Sequence, residues 1–379
     1  MSLVKRFLVK KTQINRILRV KLYSHVMMNI INLRQTASSE MHTRYISKIL
    51  LILIINSVCF VKADESEVMP VTVENFPRVA FDLQSTSVIE RANGINNWEI
   101  NKLPIPTDTQ PTTYVNRDML YLLAVIDIKN GAQISVPAIN DRYISFSIIN
   151  RDGYTSKVFY GGGVHMLNRD EIGTDFVHVV GRIMVDPDTP QDILEVNSLQ
   201  SNIRIFSGSE RIFPMIEYDQ NNYEKLSRIF SELMLHSSSS RNMFGQKEDI
   251  NDLQFLIGTS IGWGGLSNKE AIYYIEKPNL PIDRYKLTVR DPPIQGFWSI
   301  TVYNADGFFQ KGTYGKISVN SGNAIRNSDG SITVNFGGCF DGVINCLELM
   351  REWSYVVRIY RPQETLLSGD WTFPIPKIR

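Results

Sequence analysis

From residue 113 onward, apolar and polar positions follow one another in short strand-like stretches. Residues 119–128 form a nearly unbroken apolar run, Met-Leu-Tyr-Leu-Leu-Ala-Val-Ile-Asp-Ile, closed by Asn130-Gly131. Without helical punctuation, such a run is expected as a buried strand. A short strand is expected at 133–137. Residues 143–149 alternate, with Ile144, Phe146 and Ile148 on one face and Ser145 and Ser147 on the other. Residues 176–185 put Val177, Val179, Ile183 and Val185 on one face and His178 and Arg182 on the other, and Asp186-Pro-Asp-Thr-Pro190 ends the strand. The pattern returns at 271–276, 285–289, 297–303, 332–336 and 355–360, with Asn327-Ser-Asp-Gly330 as the hairpin turn before Ile332.

Helical spacing interrupts this series. One helix is expected near 79–94 and a short one at 190–199, with Thr189 as N-cap. A longer helical stretch carries Leu226, Ile229, Phe230, Leu233 and Met234, and a second helix follows near 250–257 before Gly262-Trp-Gly-Gly265. Many short strands with Gly, Pro, Asn and Asp between them indicate a mainly β chain with a helical connector, built as two β-sandwich, jelly-roll-like domains. The expected divisions are an N-terminal sandwich at 64–217, a connector at 218–269 and a C-terminal sandwich at 270–379.

A repeated segment supports the pairing of domains. Residues 143–154 read Tyr-Ile-Ser-Phe-Ser-Ile-Ile-Asn-Arg-Asp-Gly-Tyr, and 297–308 read Phe-Trp-Ser-Ile-Thr-Val-Tyr-Asn-Ala-Asp-Gly-Phe. Ser145/Ser299, Asn150/Asn304, Asp152/Asp306 and Gly153/Gly307 coincide, so the identities gather on the Asn-x-Asp-Gly turn. Turn chemistry explains them: Asn bonds to the backbone two residues on, and Gly accepts positive φ. The sharper reading makes Asp152 and Asp306 paired functional carboxylates, which requires them to converge.

Charge divides the chain of 379 residues. Residues 1–63 hold 11 Lys/Arg and the single acid Glu40; the rest holds 29 Lys/Arg against 38 Asp/Glu, a net of −9. An acidic body argues against nucleic-acid binding. The basic lead Met41–Lys48, the apolar run 49–61 and Val61-Lys-Ala63 before Asp64-Glu-Ser-Glu67 have the anatomy of a secretory signal peptide at 41–63. The expected location is periplasmic or extracellular, with membrane attachment only if that segment is retained. Residues 1–40 fit no targeting pattern and are expected to be a start-site extension, translation beginning at Met41.

In the mature chain Cys339 and Cys346 remain, in Gly-Gly-Cys-Phe-Asp-Gly-Val-Ile-Asn-Cys. In an oxidising compartment a disulfide is the first reading and a pair of free thiols the second. No histidine accompanies them, so no metal site is expected, and no cofactor motif is present. His165, His178 and His236 have no metal spacing, and Tyr160-Gly-Gly-Gly-Val-His165 reads as a flexible turn and not a phosphate loop. Asn116-Arg117-Asp118 stands at the mouth of a very apolar strand. An ion pair is the plain reading; the functional one makes Arg117, Tyr114 and Tyr121 binders of an anionic or sugar-like ligand.

Tyr114-Val-Asn-Arg-Asp-Met-Leu-Tyr121, Val136-Pro137, Asp141-Arg-Tyr143, Gly173-Thr-Asp-Phe176 and Val185-Asp-Pro-Asp188 resemble the bacterial family called domain of unknown function 1254. Gly296-Phe-Trp-Ser-Ile-Thr-Val-Tyr-Asn-Ala-Asp-Gly307, Phe336-Gly-Gly-Cys339, Val357-Arg-Ile-Tyr-Arg-Pro362 and Gly369-Asp-Trp-Thr-Phe-Pro374 resemble the companion domain of unknown function 1214. Met243-Phe-Gly245 and residues 257–265 resemble their connector. The resemblance implies a two-part, sandwich-rich, often exported protein and carries over no reaction.

Two functions stand against each other. One is an exported binding or assembly module, holding a small polar or carbohydrate ligand or associating with copies of itself through sheet faces. The other is an enzyme acting on a small polar or sugar-like substrate with Asp118 or Asp306 as acid–base carboxylates and Arg117 as anion clamp.

Overall fold

The computed structural model describes residues 68–237 and 241–379. The segment 41–63 and the extension 1–40 lie outside the described residues. Residues 68–379 make one compact unit.

The first helix, α1 (Phe76–Arg91), starts with Pro77 in its first turn, where a missing N–H costs nothing. It stops where Asn93 and Gly94 take positive φ. Eight strands follow: β1 (Glu99–Ile100), β2 (Met119–Asp127), β3 (Ala132–Val136), β4 (Ile144–Asn150), β5 (Thr155–Tyr160), β6 (Gly163–Leu167), β7 (Phe176–Met184) and β8 (Arg204–Ser207). Between them lie the single turn α2 (Arg169–Ile172) and α3 (Pro190–Asn202). The connector carries α4 (Gln220–Leu233) and α5 (Asp252–Gly262). Asn251 caps α5, accepting from the amides of Leu253 and Gln254. The second series is β9 (Ala271–Glu276), β10 (Tyr285–Val289), β11 (Trp298–Tyr303), β12 (Ser318–Asn320), β13 (Ile332–Phe336), β14 (Cys346–Leu347), β15 (Ser354–Tyr360), α6 (Glu364–Leu367) and β16 (Lys377–Ile378).

Four sheets result. In the first half their orders are β1-β2-β7-β4-β5 and β6-β3-β8; in the second, β12-β11-β15-β9 and β14-β13-β10-β16. Without the extra strands β1 and β14, the two halves have one topology. Strands β2, β3, β4, β5, β6, β7 and β8 correspond in order to β9, β10, β11, β12, β13, β15 and β16, with every shared pairing antiparallel. The repeated strands, β4 and β11, occupy the same place in their sheets.

The period of two assigns each residue a side. Leu120, Leu122, Phe146, Ile148, Val177 and Val179 join one core. Trp298, Ile300, Val302, Tyr355, Val357 and Ile359 join the other. The opposite face of the five-stranded sheet is covered as well: α1 lays Phe81, Val88 and Ile89 against Val125, Ile149 and Val180.

The Asn-x-Asp-Gly turns also correspond. Asn150 N donates to Tyr154 O, and Asn150 Oδ1 accepts from the amides of Asp152 and Tyr154. Asn304 N donates to Phe308 O, and Asn304 Oδ1 accepts from the amides of Asp306 and Phe308.

The structure corrects some local expectations. The segment 160–165 is not wholly a turn: β6 begins at Gly163. Gly162 is held to glycine because a Cβ there would lie 2.5 Å from Pro137 O. The Asn327–Gly330 turn closes on itself through Asn327 N to Ser331 O. It joins β12 to β13 in different sheets and so is no hairpin. The helix expected at 79–94 begins and ends three residues earlier, because Pro77 initiates it and Asn93-Gly94 breaks it.

Candidate functional site

The sheets β1-β2-β7-β4-β5 and β12-β11-β15-β9 each present a row of three residues, one per neighbouring strand, on the face away from their own core. In the first, Tyr121 of β2 lies opposite Arg182 of β7, which lies opposite Ser145 of β4. In the second, Tyr273 of β9 lies opposite Arg358 of β15, which lies opposite Ser299 of β11. The next row on that face is Leu123, Val180 and Ser147 in the first sheet and Ile275, Val356 and Thr301 in the second. Each arginine is held in the same way: Arg182 Nη1 donates to Ser147 Oγ at 2.9 Å, and Arg358 Nη1 donates to Thr301 Oγ1 at 3.0 Å.

These faces meet at a cavity of about 460 Å³, within the usual range for small-molecule sites. Tyr121, Leu123, His178, Val180 and Arg182 line it from one half, and Tyr273, Ile275, Val356, Arg358 and Tyr360 from the other. The connector closes a further side with Gly262-Trp-Gly-Gly265, and α1 contributes Gln84, Val88 and Arg91. Tyr114 and Asn116 enter from the irregular segment leading into β2.

Backbone geometry secures this wall. Tyr114 has φ 52°, a left-handed conformation uncommon for an aromatic residue. Its amide donates to Gly307 O at 2.8 Å and its carbonyl accepts from Arg358 Nη2 at 2.7 Å. Gly264 has φ +79°, and its carbonyl accepts from Arg182 Nη2 at 2.6 Å. Asn116 Nδ2 donates to Tyr360 OH at 2.8 Å.

The electrostatics are one-sided. Among the described residues no Asp or Glu lines the cavity. Arg91 is paired with Glu99 at 2.6 Å. Arg182 and Arg358 are 7 % and 3 % exposed. Their hydrogen bonds go to hydroxyls and backbone carbonyls, and neither meets a carboxylate within ion-pair distance among the described residues. Neither Nε–H has a protein acceptor there. Buried guanidinium charge without a paired counter-ion is costly, and here two guanidinium groups face one space, Arg358 feeling the field of Asp118 from beyond ion-pair distance. His178 adds a neutral group. Burial, aided by the field of Arg91, pushes its imidazole down to about 3. Ser85 Oγ is 3.3 Å from its Nδ1, Trp263 packs edge-on at 4.6 Å, and Nε2 has no partner.

The residues singled out from sequence are divided by this geometry. Tyr114 and Tyr121 line the cavity; Arg117, Asp118, Asp152 and Asp306 do not. Arg117 donates through Nε to Ile105 O at 3.1 Å and pairs with Asp188 at 3.6 Å. Asp118 is fully buried, and its Oδ1 accepts from Ser318 Oγ at 3.0 Å and Asn320 Nδ2 at 3.1 Å. Burial pushes its carboxyl up, against the opposing pull of Asn320, Arg358 and Ser318. Asp306 is on an exposed turn, whereas Asp152 pairs with Arg78. Cys339 and Cys346 are joined in a disulfide. No group of three or more His, Cys, Asp or Glu placed to hold a metal exists among the described residues.

Arg182 was visible only as a polar-face residue, and Arg358 only within a family motif. A signal for both exists: Val180-Gly-Arg182-Ile and Val356-Val-Arg358-Ile share Val-x-Arg-Ile. Their spacing differs from that of the strand-and-turn repeat because the segments before β7 and β15 differ in length.

Fold and cavity together define a mainly β protein of two like sandwiches with a cationic cavity between their equivalent faces. Residues 95–171 match the Protein of unknown function (DUF1254) and residues 277–364 the Protein of unknown function (DUF1214), so the chain carries these two parts in that order. The fold is similar to that of the VPA0106 protein from Vibrio parahaemolyticus, with TM-score 0.61 and 18% identity over 81% of this chain and 97% of that one. A putative uncharacterized protein from Burkholderia cenocepacia aligns with TM-score 0.44 and 14% identity over 80% and 86% of the two chains. No curated protein matches the sequence.

Proposed function

We propose that this chain is an exported binding module that holds a small anionic ligand in the cavity between its two sandwiches. The observation that carries this reading is the pair Arg182 and Arg358: both buried, both lining one cavity, neither in an ion pair with a carboxylate among the described residues. An anion entering there meets donors already fixed by Ser147 and Thr301, so little ordering cost is left to binding. The aliphatic rows beside the arginines suit a ligand with an apolar body, and the tyrosines of the same face suit its polar ends. The acid–base alternative has less support, since neither Asp118 nor Asp306 lines this cavity, and an imidazole held near 3 is a weak proton acceptor at neutral pH.

Thermal denaturation in the presence of small carboxylates, neutral sugars and amines tests the reading. A ligand at about 100 times its Kd stabilises by about 2.7 kcal/mol, so carboxylates are expected to raise Tm and the other two classes to leave it unchanged. Arg182→Met is expected to cut the carboxylate effect at least tenfold in affinity. Stabilisation by sugars or amines and not by carboxylates would remove the proposal.

Export rests on the signal-like segment 41–63 and on the disulfide, which belongs to an oxidising compartment. No helix of the described residues is long and apolar enough to cross a membrane. Amino-terminal sequencing of the protein from the cell envelope or medium is expected to begin at Asp64; protein confined to the cytosol with its leader intact would contradict export.

A further inference from the structure

The duplication gives the cavity two equivalent clamps, and this bears on the kind of anion that fits. From the first sheet come Tyr121 and Arg182, with Leu123 and Val180 one row along; from the second come Tyr273 and Arg358, with Ile275 and Val356 one row along. Each arginine has its Nη1 anchored by the hydroxyl of the equivalent β4 or β11 residue and its Nε–H unclaimed by protein. Both clamps line one cavity of about 460 Å³, so a single small molecule there can meet both.

Charge stoichiometry then favours two negative charges. A monoanion satisfies one guanidinium and leaves the other buried with no anion against it, since Asp118, whose field reaches Arg358, lies beyond ion-pair distance; that is the more costly state. A dianion compensates both. The charges also sit on two separate sheets with aliphatic side chains alongside, which favours charges at the two ends of an aliphatic body over two charges on one centre.

Resting on the anion-binding reading above, we infer that the ligand is an α,ω-dicarboxylate with a short aliphatic spacer, one carboxylate held by Arg182 with Tyr121 and the other by Arg358 with Tyr273. The Nη groups of both arginines are engaged by protein oxygens, so each offers a carboxylate its Nε–H, in a charge-assisted hydrogen bond beside the tyrosine hydroxyl. The cavity binds such a molecule across the boundary between the halves, and each half supplies the same chemistry.

Isothermal titration calorimetry of the purified protein tests this with straight-chain dicarboxylates from succinate to suberate, the monocarboxylates of matching length, inorganic phosphate and sulfate. One dicarboxylate is expected to bind at least tenfold more tightly than its matched monocarboxylate, with an optimum at one chain length. Arg182→Met is expected to bring dicarboxylate affinity down to the monocarboxylate level, and Arg358→Lys to weaken dicarboxylates more than monocarboxylates. The wild-type series stands alone if a variant fails to fold. Equal affinity for mono- and dicarboxylates, or tighter binding of phosphate or sulfate than of every dicarboxylate, overturns the two-ended ligand and leaves anion binding standing. Absence of binding by all four classes overturns both.

Discussion

Asp118 shows how a residue can look functional in sequence and serve the fold. It follows an arginine at the start of a buried strand, the setting expected of a charged pair. Folding turns it inward, where Ser318 and Asn320 of the other half donate to it. Burial, opposed by Asn320 and Arg358, leaves its carboxyl raised from the ordinary 3.8, so the native state holds the proton more tightly than the unfolded chain. The stability this gives is present at low pH and falls as pH rises from the ordinary carboxylate value toward the raised one. Asp118→Asn keeps the acceptor oxygen and removes the ionisation. Urea unfolding should therefore show the variant gaining on wild type between pH 4 and pH 7; a loss over that interval would mark the ionised form as stabilising. Asp118→Ala, which strands two buried donors, is expected to cost about 1–3 kcal/mol.

At the level of elements, Cys339 and Cys346 form a clip on the edge of the second sandwich. Gly337, Gly338 and Gly342 have φ 71°, 66° and 68°. These left-handed residues let the chain double back so that β14 lies parallel to β13, with Cys346 opposite Asn335. With a separation of seven residues, chain-entropy reasoning gives about 2.5 kcal/mol for the closure. Replacing both cysteines by serine is expected to lower stability to urea by about that amount and to leave carboxylate binding intact, because the clip does not line the cavity. The longer strands were legible in the sequence since their period of two is strong and one face is buried. Strands β1, β5, β6, β8, β12, β14 and β16 were not. Several are short, half-exposed edge strands, and their pairing is decided by partners far along the chain.

At the scale of the molecule the duplication becomes a single object. The irregular segment before β2 crosses to the second half: Val115 O accepts from Tyr303 OH, and Arg358 donates to the carbonyls of Tyr114 and Val115. Met119 and Tyr143 pack with Ala271, Phe297 and Tyr360 in one apolar cluster. The cavity belongs to neither sandwich, which explains why its two arginines were separated in the reading of the chain. One appeared as a polar residue on an amphipathic strand and the other inside a motif, and nothing local linked them. Tyr114 and Tyr121 were found because they flank a conspicuous charged pair, although Arg117 and Asp118 themselves are turned elsewhere.

Periodicity, turn residues and the repeated Asn-x-Asp-Gly segment determined that this is a mainly β protein of two related parts with helices between them. Those signals are local: they depend on side-chain alternation and on backbone angles that Asn and Gly accept. Which faces meet was decided by tertiary structure alone, because the register of non-neighbouring strands sets Arg182 beside Tyr121 and Arg358 beside Tyr273. Burial then left both guanidinium groups lining one cavity without an ion-paired carboxylate among the described residues, although the field of Asp118 reaches Arg358.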